Sequence, residues 1–407
     1  MKIILRPEWI LDGSGVDAVC GQAVVIDDDT IIAVGPAEEY AGDAEDRPID
    51  LRGMTLLPGL CNNHVHLVLP GDTASVGQNE EHTSDARLAI RAVHNMIMAL
   101  RSGVTSVRDC GGRGRIVVDA RDAQAQGLIE GARVISCAWP ITITGGHTRQ
   151  FGGEADGEVG LRSMVRRVAS QGVDFVKVMA SGGGTPGTFA QYPSFTEDEL
   201  RVIVETSHGL GLKVSAHCTT GAATLNCIGA GVDMIEHAMF FTPALTSRVD
   251  KGVIERLAEA QIPVTPTLQV DHDMMRLAPT EEERELWRGR NQIHRDGVAA
   301  MIDLGVPVLA GSDAGWRLTA FDTFWYELAE LVACGMTPAQ AIHAATAGIA
   351  NLFSGRKPWG TVAPGYVADL AIVEGNLGAN IEHLRDVRAV LQSGRVVHST
   401  LNSLATT

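Results

Sequence analysis

Lysine is scarce in this sequence: Lys2, Lys177, Lys213, Lys251 and Lys357 are the only five among 33 basic residues. Acidic residues outnumber basic ones, and the formal net charge of −16 argues against a nucleic acid or an anionic membrane as partner. Either would need a basic face. No apolar run reaches the roughly eighteen residues of a membrane-spanning helix, so none is expected. The seven cysteines are scattered, odd in number and never spaced C-x-x-C, which fits free thiols in a reducing compartment. Residues 1–8 lack an apolar stretch between a basic start and a small-residue cleavage site, so no secretory leader is expected and the cytoplasm is the default location. No G-x-G-x-x-G follows a strand pattern, which weighs against dinucleotide binding. Internal repeats and low-complexity tracts are absent as well.

What is present is the profile of a globular chain, with 45% apolar and 20% charged residues over 407 positions. That length predicts one large domain with a smaller companion. Short strand patterns occupy residues 3–5, 23–26, 31–34 and 54–57, with turn chemistry at Gly13, Gly15 and residues 27–29. Similar patterns return at 370–373, 387–391 and 396–398, around a turn at Ser393-Gly394. These two ends, 1–58 and 357–407, are expected to meet as a small β-sandwich.

Residues 59–356 alternate apolar runs with helical patterns. The runs cover 59–66, 105–109, 134–138, 175–180, 214–217, 234–237, 264–267 and 308–312. Helices are predicted over 88–101, 197–208 and 322–334, and from Pro338 behind a Thr337 cap with Gln340 three residues on. Eight such alternations point to an α/β fold of the (β/α)8 TIM-like barrel type.

Polar residues gather where the apolar runs end, the end at which barrel enzymes place catalytic groups. His64-Val65-His66 closes the first run, and residues two apart on a strand share a face, so both imidazoles can reach one metal. Taken alone, H-x-H also describes surface or core histidines. His217, His237 and Asp313 end the fifth, sixth and eighth runs, and the set together predicts a metal site. Lys177 lies inside Phe175-Val176-Lys177-Val178-Met179. A cationic amine cannot ligate a cation. Addition of CO2 would turn it into an anionic carbamate able to bridge two metals. By itself such a lysine equally fits a packed stem whose amine snorkels or pairs with a carboxylate.

With these residues in place, the chain resembles the amidohydrolase superfamily, in the branch of imidazolonepropionase-like proteins and metal-dependent Xaa-Pro and Xaa-Arg dipeptidases. The matching stretches are Leu57-Pro58-Gly59-Leu60 into the H-x-H pair, Lys177 into Ser181-Gly182-Gly183, His217, Ile235-Glu236-His237 and Gly311-Ser312-Asp313-Ala314. The tail Gly360-Thr361-Val362-Ala363-Pro364-Gly365, followed by Ala368-Asp369-Leu370, matches as well.

The resemblance implies two divalent ions, zinc by expectation. His64, His66 and Asp313 would hold one, His217 and His237 the other, with N6-carboxylated Lys177 bridging. It also implies that His147, in Gly145-Gly146-His147, donates to the scissile carbonyl, and that Asp313 moves the proton of the attacking water. A symmetric homo-oligomer acting on a small-molecule substrate is expected on the same grounds.

Tyr192, Trp316 and Arg317 fall in the fourth and eighth barrel loops and are candidate substrate contacts, with plain packing the alternative. Two departures bear on specificity. Asn62-Asn63 stands where an acidic residue often precedes the H-x-H pair, and His217-Cys218-Thr219 lacks the Ala-Tyr of dipeptidase-like relatives. The expected reaction is hydrolysis of a C–N bond in a small N-acyl compound such as an N-acyl amino acid, dipeptide or aryl amide. Opening of a cyclic amide, or hydrolysis of a carbamate, ester or lactone, stands as the alternative, and a non-catalytic scaffold comes last.

Overall fold

The apolar runs of the middle segment become strands because they are buried on both faces. Phe175–Met179 has no exposed residue, Lys177 included, the pattern of a parallel sheet covered by helices. A computed structural model describes residues 2–40, 42, 46–72, 82–353 and 357–404. The expected barrel end at residue 356 and the chain termini at 1 and 405–407 lie outside the described residues.

Two compact units share the chain. One comprises Met1–Asn62, Met96–Val107 and Asp322–Thr407; the other comprises Asn63–Asn95 and Arg108–Phe321. The boundary runs through the first two barrel strands, Leu60–Val65 and Val104–Asp109.

In the second unit, Phe175–Met179, Lys213–Cys218, Met234–His237 and Val264–Thr265 pair in parallel, with Val214 opposite Val176 and Ile235 opposite Val264. Single parallel bridges complete the ring: Ile141 to Val178, Val264 to Val308, and Val65 to Ala314. The third strand is Arg133–Ser136, and residues 308–314 supply the eighth. Asp313 N donates to His64 O at 2.8 Å, and His66 N donates to Ala314 O at 2.8 Å. Eight parallel strands thus close into the expected barrel.

Local signals start the surrounding helices. Thr196 caps Glu197–His208 in a capping box with Glu199, and Thr220 caps Gly221–Ala230 through Ala223 N. Thr337 does the same for Pro338–Ala344, with proline in the first turn. Among the described residues no helix is long and apolar enough to cross a membrane. The seven cysteines are all free.

In the first unit the two chain ends meet in one eight-stranded sheet. Leu370–Glu374 lies antiparallel to Arg47–Pro58, setting Leu370 opposite Pro58, and Arg47–Pro58 lies parallel to Ile3–Ile10. Alternate residues from both ends, among them Leu5, Ile26, Leu56, Ile372 and Leu391, share one apolar core. Each such side chain stabilises the fold by roughly 1.5–3 kcal/mol. The Ser393-Gly394 hairpin has positive φ at both positions, +51° and +72°, the geometry of a two-residue turn matched to strand twist. A Cβ on Gly394 would meet Asp28 O at 1.8 Å, so glycine is required there.

Candidate metal centre

The period-two geometry of the first strand aims His64 and His66 at a common point. Each ring is held by its Nδ1: His64 against Glu236 Oε2 at 2.7 Å, and His66 against Gly111 O at 2.8 Å. Both partners accept, so Nδ1 carries the proton and Nε2 keeps the free lone pair. Those Nε2 atoms lie 3.5 and 3.4 Å from Asp313 Oδ1. One ligand atom from each of the three residues falls within 4.8 Å of the other two.

The other histidines come from neighbouring strands. His237 Nδ1 meets Thr267 Oγ1 at 2.8 Å, and His217 Nε2 donates to Gly182 O at 3.1 Å. His217 therefore has its free lone pair on Nδ1, and the His237 nitrogen not engaged by Thr267 is Nε2. Ring centroids are 4.6 Å apart for His217 and His237, and 4.9 Å for His64 and His237. His237 and Asp313 adopt left-handed backbone, with φ of +69° and +58°. Such strain persists only where surrounding contacts over-determine it, as they do at functional sites.

Burial holds these imidazoles neutral. It lowers His64 to about 3 and His66 to about 4, and it places His217 and His237 well below the ordinary histidine value. Neutral imidazole is the form that ligates a metal. Burial also pushes the Asp313 carboxyl up to about 7, and Asp313 Oδ1 has no hydrogen-bond partner.

Lys177 reaches the same place from the fourth strand. Its side chain is fully buried and its Nζ has no hydrogen-bond partner; the nearest carboxylate oxygen, Glu236 Oε1, is 3.9 Å away. An unpartnered carboxylate oxygen and four neutral imidazoles, with a buried amine beside them, form a donor set that divalent cations fit.

His147 adjoins the set, its ring centroid 4.8 Å from that of His217. Thr185 N donates to His147 Nδ1 at 3.4 Å, and Thr185 Oγ1 lies 2.8 Å from the same atom. With Nδ1 accepting, the proton of the neutral ring sits on Nε2. A Cβ on Gly183 would meet Nε2 at 2.4 Å, so glycine makes the room that His147 occupies. Burial lowers His147 to about 3, and its Nε2–H is thus a neutral donor at physiological pH.

Glu236 and Arg108, which motif reading passes over, underpin the centre. Besides His64, Glu236 accepts short hydrogen bonds from Arg108 and Ser215, and Arg108 Nε donates to Asn63 O at 2.7 Å. Burial pushes the Glu236 carboxyl up, but Arg108, Lys177 and His64 together hold it well below the carboxylate range. Asp109 plays a related part, accepting from Leu67 N at 2.7 Å and from Gly111 N at 3.0 Å and so fixing the loop whose carbonyl orients His66. An acidic residue inside an apolar strand run, as in Met234-Ile235-Glu236, was the available signal.

A cavity of about 640 Å³ opens over these groups. Trp316 and Arg317 line it, together with Phe241, Trp287 and Arg290. Tyr192 is 50% exposed, has its ring beside Phe189, and is not among the lining residues.

The family model for the amidohydrolase family matches residues 55–401. The chain is 29% identical to ochratoxinase from Aspergillus niger over 370 residues, covering 82% of this chain and 73% of that one. To imidazolonepropionase from Salinispora tropica it is 27% identical over 380 residues, covering 86% and 85%. A crystal structure of a Xaa-Pro dipeptidase with methionine in its active site superposes with a TM-score of 0.86 at 26% identity, covering 98% of this chain and 100% of that one. The chain belongs to the amidohydrolase family, and with it to the hydrolases that act on carbon–nitrogen bonds.

Proposed function

We propose that this chain uses two divalent ions, zinc by donor set, to hydrolyse the C–N bond of a small N-acyl compound such as an N-acyl amino acid, a dipeptide or a related aryl amide. The observation that carries this reading is Lys177, a fully buried amine without a hydrogen-bond partner among the four histidines and Asp313. A buried ammonium costs several kcal/mol, and its anionic neighbour Glu236, 3.9 Å away, is already shared with Arg108 and His64. Attack of the neutral amine on CO2 forms an N–C bond and releases one proton, leaving an anion with two oxygens. In that form Lys177 would bridge, with His64, His66 and Asp313 on one side and His217 and His237 on the other.

Bound divalent ions would supply a lowered pKa for coordinated water, from about 15.7 to about 7, worth about 12 kcal/mol in forming the nucleophile at neutral pH. His147 would donate from Nε2 to the carbonyl oxygen as it gains charge, a role worth about 100- to 1000-fold in turnover for one such donor. Asp313 would take the proton of the attacking water and hand it to the leaving nitrogen. Cytoplasmic residence is part of the same reading, supported by seven unbridged cysteines. A symmetric homo-oligomer is part of the same reading.

The test is a screen of zinc-loaded protein against N-acyl amino acids, dipeptides, cyclic amides and aryl carbamates. Turnover of linear N-acyl compounds with two zinc ions per chain is the expected result. Full zinc loading without hydrolysis of any C–N bond would overturn the reading.

A further inference from the structure

The cavity wall opposite in chemistry to the metal ligands is built around one buried indole. Trp287 carries two guanidinium groups on its ring: Arg290 Cζ lies 4.1 Å from the centroid, and Arg317 Cζ lies 5.3 Å away. Arg290 also lies over Phe241 at 5.0 Å. Stacking between two rings holds a guanidinium in place while leaving its N–H edge open. None of the Arg290 N–H groups meets an acceptor among the described residues.

The two arginines come from separate elements, the helix Glu281–Asp303 and the loop after the eighth strand. Arg317 takes a left-handed backbone, φ +52°, to reach the cavity. Its guanidinium is held below the ordinary arginine value, first by burial and next by repulsion from Arg290.

An open guanidinium edge in a partly dry wall favours an anion against it. Of the carboxylates around the cavity, Asp271, Asp313 and Glu283 answer the charge of Arg317 and Glu285 pairs with Arg288, which leaves Arg290 as the guanidinium open to a ligand. A planar fork of N–H donors matches a carboxylate with two parallel hydrogen bonds.

We propose that Arg290, stacked between Trp287 and Phe241, forms the anion subsite of this cavity and selects N-acyl compounds that carry a free carboxylate. The subsite rests on the reading of the metal centre as a hydrolase of N-acyl compounds, and it supplies a carboxylate anchor in a chain whose His217-Cys218-Thr219 lacks a phenol.

The experiment compares each N-acyl compound as free acid and as primary carboxamide, in the native protein and in Arg290→Met and Arg290→Lys. In the native protein kcat/KM for the acid should exceed that for the carboxamide by about 10- to 100-fold, the range of a charge-assisted contact. Arg290→Met should remove that preference through a raised KM for the acid, bringing the acid-to-carboxamide ratio of kcat/KM close to one, and Arg290→Lys should restore part of it. Equal rates for acid and carboxamide in the native protein, or equal losses on both in Arg290→Met, would overturn the subsite.

If no pair is turned over, the hydrolase reading fails, and calorimetry still decides the subsite. Tighter binding of N-benzoylglycine than of N-benzoylglycinamide, lost in Arg290→Met, would support it. Equal binding, or a preference that survives the substitution, would overturn it.

Discussion

The terminal sheet and the mouth of the barrel satisfy their chemistry in opposite ways. In the sheet, alternation sends Leu5, Ile26, Ile49, Leu56, Ile372 and Leu391 into one apolar core, and left-handed backbone outside glycine is confined to turns such as Asp28 and Ser393. At the barrel mouth, His237, Asp313 and Arg317 are left-handed, and Lys177 Nζ and Asp313 Oδ1 are buried without hydrogen-bond partners. A core without function minimises both strain and orphaned polar atoms. Arg6 Nε in the sheet is buried without a partner too, but Lys177 Nζ and Asp313 Oδ1 share one site with four neutral imidazoles, which on the proposed reading are groups kept for a ligand that completes them.

Substitutions can break this contrast. The largest effect is expected from Lys177→Ala, which should lower turnover by about a thousandfold or more and remove bridging metal. Elemental analysis beside steady-state kinetics checks it, and normal metal content with a normal rate would sink the carbamate. His147→Ala should follow, lowering kcat by about 100- to 1000-fold with metal retained; loss of metal would reassign His147 as a ligand. Glu236→Gln should weaken metal binding by about 10- to 100-fold, because the carboxylate sets the orientation of His64. It should also destabilise the fold by about 3–5 kcal/mol by leaving Arg108 without its charge partner, so chelator competition and denaturant melts both report on it. Ile372→Ala, in the sheet, should cost about 2–5 kcal/mol of stability. Metal content and kcat/KM should be unchanged there, which separates a packing core from a chemical one.

The parts of this architecture visible in the sequence were those with a local period. His64-Val65-His66 announced itself through strand alternation, and Thr337, Pro338 and Gln340 announced a helix start that the structure reproduces as a capping box. Helix limits were less sharp: the expected 88–101 is Asp85–Arg101, and the expected 322–334 is Trp325–Ala333. Propensity grades smoothly across a helix end, whereas hydrogen bonding stops at one residue.

The barrel was expected from its eight alternations, but the residues that close it were out of reach, because they form bridges such as Val65 to Ala314 between positions far apart in sequence. The Arg108–Glu236 pair was hidden for the same reason, being 128 positions apart. Arg290 was hidden by its setting: on a long polar helix it reads as one more solvated charge. Only the approach of Phe241 and Trp287 marks it as part of a cavity.

The central claim is that Lys177 works as an anionic bridge between two ions. Its most direct test is carbon-13 NMR of zinc-loaded protein equilibrated with labelled bicarbonate, with zinc counted in the same sample. The account predicts a single carbamate resonance, absent from Lys177→Ala, together with two zinc ions per chain. A fully active protein with two zinc ions and no carbamate resonance would contradict it.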